Sequence, residues 1–166
     1  MPGKLTLLRH VVLIVLVFAV AGALAGLVWQ WLWTPPPGVV VHHQWLQDER
    51  GLRGDFAGTG SYVAVAAITG FLVGALVAFL FDSAELVTLL AVLAGAFLAG
   101  WLMHRVGLAL GPADPRHLAE TAKDGTRLPG RLSVSGESEF RAFPAGALLG
   151  LVIVFFGLSR RHRRPS

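Results

Sequence analysis

The chain has 166 residues, of which 54% are hydrophobic and 14% charged, and it contains no cysteine. Soluble domains carry about 25% charged residues, so this composition excludes a soluble enzyme, an intrinsically disordered chain and a disulfide-stapled secreted domain. The net charge of +4 resides in basic tails and does not indicate binding to nucleic acid. We therefore expect one integral membrane domain over residues 1–166, in contact with the lipid bilayer and without a cofactor.

Four apolar segments are candidates for membrane spans, because crossing a hydrocarbon core takes about 20 helical residues. They cover residues 11–33, 62–81, 86–104 and 142–158, and outer loops 34–60 and 105–141 separate them. The first segment contains a signal-peptide-like cleavage site at Ala23–Ala25, but it stays apolar beyond that site, which favours a retained span. The third segment can continue as a helix to Leu110. The fourth is short and places Pro144 in its first helical turn, where proline is tolerated.

The charges and aromatic residues predict the orientation of the chain. The N-terminal tail carries Lys4 and Arg9, and the C-terminal tail carries the basic cluster Arg160, Arg161, Arg163 and Arg164. Basic residues favour the cytoplasmic side, so both termini are expected there, in a bacterial plasma membrane. Aromatic residues that prefer the membrane interface cluster at the opposite boundary, namely Trp29, Trp31, Trp33, Tyr62 and Trp101.

Small residues at four-residue spacing occur in each predicted span. They are Gly22 and Gly26, Gly70 and Gly74, then Ala91, Gly95 and Ala99, and finally Gly146 and Gly150. Such stripes allow helix backbones to approach closely in lipid. The sequence therefore predicts an all-α membrane protein with a compact four-helix bundle. Spacing alone leaves open whether the stripes serve packing within the chain or a homo-oligomer.

The two outer loops predict a small extracellular β/α elaboration. Residues 39–45 favour a strand, and the glycine-rich residues 51–60 are expected to form turns. In the second loop, Asp114 is a plausible N-cap for a helix over residues 115–123. Residues 128–134 are then expected to form an extended segment that pairs with the first loop.

Several motifs resemble those of small actinobacterial four-span membrane proteins of unknown function. They are a Trp- and Pro-rich exit from the first span, the Gly-rich segment Asp55–Gly60, the segment Val106–Pro112 before a short helix, and Phe143–Pro144 at the start of the fourth span. The resemblance covers nearly the whole chain. It implies a bacterial plasma-membrane location and supplies no catalytic residue.

Candidate chemistry in the sequence is sparse. His42 and His43 are potential metal ligands, although adjacent strand residues point to opposite faces, which favours a solvated pair. His104 and Arg105 suggest either an anion contact or a snorkelling helix end. No ionisable residue lies in the core of a predicted span, which argues against a self-sufficient pump or channel. We expect no enzyme but an accessory or assembly subunit of a cell-envelope complex. The alternative is a small transport component, either a permease-like subunit or a channel-forming oligomer.

Overall fold

Four long helices dominate the described part of the chain. The computed structural model describes residues 4–80, 85–134, 136 and 138–161. The long helices are α1 (Lys4–Leu32), α2 (Glu49–Leu80), α3 (Glu85–Leu110) and α5 (Ala142–Arg161). The first three are long and apolar enough to cross a membrane, while the apolar part of α5 is shorter. A short helix α4 (Pro115–Ala119), three strands and one 3-10 turn (Ser138–Arg141) complete the described structure.

The boundaries of the long helices agree with the sequence prediction at two places and differ at two others. Helix α1 begins at Lys4, ahead of the predicted start at residue 11, so Lys4 and Arg9 of the expected tail lie within the helix. Helix α3 continues to Leu110, and α5 begins at Ala142, as expected. The prediction of turns over residues 51–60 is wrong, because α2 already begins at Glu49. The Asp48 carboxylate accepts a hydrogen bond of 2.9 Å from the Gly51 backbone N–H, which caps this early helix start.

The glycines of this early helical segment serve packing. A Cβ on Gly54 would lie 2.7 Å from the Pro36 side chain, and one on Gly58 would lie 3.2 Å from the Trp33 ring. The segment that leaves α1 is therefore packed directly against α2. The glycines that suggested turns therefore lie on the face of α2 that contacts residues 33–36.

Helices α1 and α3 form a close parallel pair. Gly22 lies against the Ala99 backbone, and a Cβ on Gly26 would approach the Met103 carbonyl oxygen to 2.6 Å. Gly95 of α3 in turn lies against the Phe18 side chain. Because residue numbers rise together along both helices, the two run in the same direction. Small residues thus allow the backbones to approach as they do in membrane helix pairs.

Helices α2 and α5 form a second close parallel pair, built from glycines on both sides. A Cβ on Gly74 would overlap the Ala147 carbonyl oxygen, and one on Gly146 would overlap the Ala67 carbonyl oxygen. Gly70 and Gly150 make equivalent contacts with Phe143 and Phe71. These two pairs, α1 with α3 and α2 with α5, make the most extensive contacts between elements. Helices that follow each other in the chain are therefore not each other's main packing partners.

The interior of the bundle is apolar over the described residues. Phe18 and Phe143 are fully buried, with ring centroids 6.3 Å apart, and no buried polar or charged residue occurs in the described part of the chain. Large apolar side chains such as Leu72, Leu149 and Phe156 are exposed on the outer faces of the helices. An outer surface as apolar as the interior is typical of helices that contact lipid.

A three-stranded antiparallel sheet covers one end of the bundle, in the order β2–β1–β3. Strand β1 (Pro37–Val41) pairs with β2 (Gln44–Gln47) and with β3 (Arg127–Pro129). The predicted pairing between the two loops is therefore confirmed, but β3 is shorter than expected and residues 130–134 follow it without strand structure. The described residues of 33–48 and 111–141 are called the cap from here on.

Two details of the cap correct the sequence prediction. The run over residues 39–45 is a hairpin and not one strand, because His42 and His43 form its two-residue turn with φ of 52° and 60°. Helix α4 ends at Ala119, earlier than the predicted end at residue 123. Its N-terminus is as predicted, since Asp114 accepts a hydrogen bond from the Arg116 backbone N–H.

Candidate binding cleft in the cap

An aromatic cluster joins the cap to the helix ends. The Trp29 ring meets the Tyr62 ring edge-on at 4.9 Å between centroids, and the His104 ring stacks on Trp29 at 6.4 Å. Phe140 contacts both Tyr62 and His104, with centroids 5.8 and 5.0 Å apart. These rings come from α1, α2, α3 and the 3-10 turn, so the cluster fixes the four elements relative to one another.

The indole and phenol groups of this cluster are hydrogen-bonded within the bundle. Trp29 Nε1 donates to the Gly58 carbonyl oxygen at 2.9 Å, and the Tyr62 hydroxyl donates to the Gly100 carbonyl oxygen at 3.0 Å. Buried indole and phenol groups need such partners, because an unpaired donor in an apolar interior costs about 1–3 kcal/mol. A Cβ on Gly107 would collide with the Trp29 ring, so this glycine makes room for the indole.

These contacts correct the assignment of three aromatic residues as membrane-interface anchors. Trp29 and Tyr62 are fully buried, and Trp33 is nearly so. Their rings face the protein interior and stabilise the junction between cap and bundle. Trp31 and Trp101 are 80% and 51% exposed, and the interface role stays a prediction for these two. The Arg105 guanidinium lies 5.2 Å from the centre of the Trp101 ring, a cation–π contact.

An open cleft of about 310 Å³ lies between the cap and the ends of α2 and α3. Its polar lining residues come from five parts of the chain: Gln47 of β2, Asp55 of α2, His104 of α3, Asp114 and Arg116 at the start of α4, and Arg131 and Ser133 after β3. The volume lies at the lower end of the range for small-molecule sites. Because polar side chains from several elements converge on it, the cleft is a candidate binding site in the described structure.

Asp114 connects two walls of the cleft. One carboxylate oxygen accepts the Arg116 backbone N–H at 3.0 Å, and the other accepts the Arg131 guanidinium at 3.3 Å. The backbone hydrogen bond from Arg116, followed by the guanidinium of Arg131, lowers the pKa of Asp114 below its usual value. This carboxylate is thus ionised at neutral pH and holds α4 against the segment after β3.

Other polar groups of the cleft are not satisfied within the described chain. Gln47 Nε2 is buried and has no hydrogen-bond partner among the described residues. Over the same residues, neither the Asp55 carboxylate nor the Arg116 guanidinium takes part in an ion pair. Asp55 is half-buried, whereas Arg116 is exposed. The cleft therefore combines a free acid, a free base and a buried amide donor.

The histidine turn of the hairpin lies outside this cleft. Asp124 accepts the His43 backbone N–H at 3.4 Å, and the backbone N–H groups of His42 and His43 lower the pKa of Asp124. Because His42 and His43 lie in the turn and not in a strand, the expectation that their side chains point to opposite faces of a strand does not apply. Within the ranges that the structure describes, no three His, Asp or Glu side chains are grouped closely enough to hold a metal.

The remaining predicted sites lie elsewhere. The helix-packing glycines Gly22, Gly26, Gly70, Gly74, Gly95, Gly146 and Gly150 all lie at helix–helix contacts. Arg160 and Arg161 belong to the last turn of α5, and Arg163 and Arg164 lie outside the described residues. Sequence reasoning found Asp114 as an N-cap and considered His104, but it missed the cleft that unites them.

Comparisons with family models, curated proteins and solved structures found no match to this chain.

Proposed function

We propose that this chain is a non-catalytic integral membrane protein of a bacterial plasma membrane, an accessory or assembly subunit of a cell-envelope complex. In this proposal the cap is the surface that contacts the protein partner, and four helices anchor it in the bilayer. The resemblance to small actinobacterial four-span proteins is part of the same proposal and agrees with it.

The proposal that α5 is a fourth span has two supports. Its apolar part, Ala142–Gly157, extends about 24 Å at about 1.5 Å of rise per residue, and a helix somewhat shorter than the core of about 30 Å can still span it when the bilayer thins and flanking basic residues reach the interface. It also lies along α2 through Gly146 and Gly150, and it exposes Leu149, Ile153 and Phe156 on its other face. A helix that exposes such side chains along its length fits a lipid environment.

The proposed orientation places the cap outside the cell and both termini in the cytoplasm. The contacts of Trp29 with Tyr62 and His104 bring the end of α1, the early part of α2 and the end of α3 together beneath the cap. Because α5 runs parallel to α2, its Arg-rich end lies at the opposite end of the bundle, together with the start of α1. A basic end of this kind favours the cytoplasmic side.

Cysteine labelling tests this orientation, since the native chain contains no cysteine. Ser133→Cys lies in the exposed part of the cap, and Ser166→Cys lies in the C-terminal tail. A membrane-impermeant thiol reagent should label only Ser133→Cys in intact cells and both variants after lysis. Labelling of Ser166→Cys but not Ser133→Cys in intact cells would reverse the orientation.

The observation that carries the functional proposal is the ordered architecture of the cap. Strand β1 pairs with β3 across two loops that are far apart in the sequence, and Gly130 donates a further backbone hydrogen bond of 2.8 Å to Pro36. Long loops in compact proteins are usually either disordered or functional, and these two loops pair with each other in an ordered sheet. A protein whose sole role is to be retained in the bilayer has no need for such a surface.

Purification in mild detergent tests the proposal against the transport alternative. The proposal expects a stoichiometric partner that is lost when the cap sheet is disrupted by Val40→Asp. A matched conservative variant, Val40→Ile, should retain the partner, because Val40 is fully buried and an apolar side chain of similar size preserves its packing. Recovery as a homo-oligomer that conducts solute in liposomes would instead support the transport alternative and refute the subunit proposal.

A further inference from the structure

The charges that line the cleft form two different sets. Asp114 and Arg131 are already paired at 3.3 Å, and together they contribute no net charge. The remaining set is one free carboxylate, Asp55, and one free guanidinium, Arg116, which come from different elements and line the same cleft. The unpartnered Gln47 amide adds a buried hydrogen-bond donor. A simple anion would meet the carboxylate of Asp55, and a simple cation would meet the guanidinium of Arg116.

We propose that the cleft binds a zwitterionic group that carries a phosphate and a primary ammonium, as in phosphoethanolamine. In this arrangement the phosphate accepts hydrogen bonds from Arg116 and from the remaining N–H groups of Arg131. The ammonium donates to Asp55. The inference goes beyond the proposed function and does not depend on it.

The chemistry of the side chains favours phosphate on the basic side. A guanidinium presents several N–H donors in a planar fork that matches phosphate oxygens, and Arg131 uses one nitrogen for Asp114. On the acidic side, a primary ammonium donates three hydrogen bonds, whereas a quaternary ammonium donates none. Asp55 therefore selects ethanolamine over choline.

The position of the cleft points to a membrane source for this group. His104 lines the cleft, and its neighbour Arg105 lies over the exposed Trp101 ring, where His104 and Arg105 interrupt the apolar sequence of α3. Tryptophan and arginine at such a helix end mark the depth of lipid headgroups. The same chemistry is also present in soluble phosphoethanolamine, so the experiment must separate a lipid headgroup from a free compound.

Lipid retention measured by native mass spectrometry tests the proposal. The detergent-solubilised protein is incubated with equal amounts of phosphatidylethanolamine, phosphatidylcholine and phosphatidylglycerol, which differ only in their headgroups. The wild type should retain phosphatidylethanolamine in preference to the other two. Titration with soluble O-phosphoethanolamine forms the second arm. Binding of both probes with similar affinity would indicate a free compound, and binding of the lipid alone a membrane ligand; either result supports the cleft chemistry.

Two variants separate the contributions of the two charges. Arg116→Gln should weaken retention of phosphatidylethanolamine about tenfold, because it removes a charge-assisted hydrogen bond. Asp55→Asn should remove the preference for phosphatidylethanolamine over phosphatidylglycerol. Arg127→Gln and Glu120→Gln are the matched controls, since both side chains are exposed in the cap and neither lines the cleft. Unchanged melting temperatures establish that each variant is folded.

The proposal is overturned by any of three results. The first is a wild type that retains the three lipids equally and does not bind O-phosphoethanolamine. The second is retention that falls as much in Arg127→Gln as in Arg116→Gln, which would indicate a general surface charge effect. The third is a folded Asp55→Asn variant that keeps the wild-type preference.

Discussion

Substitution of Gly74 by alanine tests the close packing of α2 against α5. The added Cβ would overlap the Ala147 carbonyl oxygen, and a backbone atom cannot rotate away as a side chain can. Overpacking of this kind costs about 1–3 kcal/mol, whereas replacing a helical glycine by alanine gains up to about 1 kcal/mol of helix propensity. We expect Gly74→Ala to lower the free energy of unfolding by about 1–2 kcal/mol.

The same helix provides a matched control for this experiment. Gly60 is also a helical glycine of α2, but a Cβ there would meet no atom within 4 Å. Gly60→Ala should therefore leave the stability unchanged or raise it slightly. Thermal melting in detergent, followed by circular dichroism, should show a fall of roughly 2–8 °C for Gly74→Ala, at about 2–4 °C per kcal/mol. If both variants melt like the wild type, the glycine face of α2 is not in tight contact with α5, and the parallel pairing is refuted.

Three further predictions concern the cap and its junction with the bundle. Tyr62→Phe removes a buried hydrogen bond to α3 and should cost about 1 kcal/mol in the same melting assay; an unchanged melting temperature would mean that this bond contributes nothing. The double substitution His42→Asn and His43→Gly supplies the residues that a turn with two positive φ angles favours. It should stabilise the hairpin and slow hydrogen exchange at the Gln44 amide beside the turn, and faster exchange would contradict this. The depressed pKa of Asp114 contributes stability that is present above about pH 4 and is lost as the pH falls through the folded-state value, so acid should loosen the cap. Asp114→Asn should make cap stability less dependent on pH below about 4, and an identical acid titration would refute this role.

Sequence patterns that are compatible with only one local structure predicted the helix boundaries well. The apolar run of α3 and the proline at the start of α5 gave nearly correct boundaries. The start of α2 was missed because the same glycines that favour turns also allow close packing, and only the position of Pro36 and Trp33 distinguishes the two uses. Small-residue spacing indicated close approach, but it carries no information on which helix is the partner.

The aromatic residues and the cleft show where sequence reasoning reaches its limit. The preference of tryptophan and tyrosine for the membrane interface is a statistical average. It cannot predict that Gly107 leaves room for the Trp29 ring inside the protein. The cleft is formed by residues of both predicted outer loops, such as Gln47 and Asp55 from the first and Arg131 from the second. None of them belongs to a local motif that indicates a binding site. Tertiary structure brings them together, and no local motif predicts that.

Site-specific photo-crosslinking in living cells tests the central claim, that the cap contacts a protein partner. A photoreactive amino acid is placed at Leu46 in the cap, which is 48% exposed, and at Ile153 on the outer face of α5, which is 52% exposed. The account predicts a discrete protein adduct from Leu46, close to stoichiometric with the crosslinked chain and absent from Ile153. Protein adducts from Ile153 alone, or from neither position at saturating illumination, would contradict the claim that the cap is the contact surface.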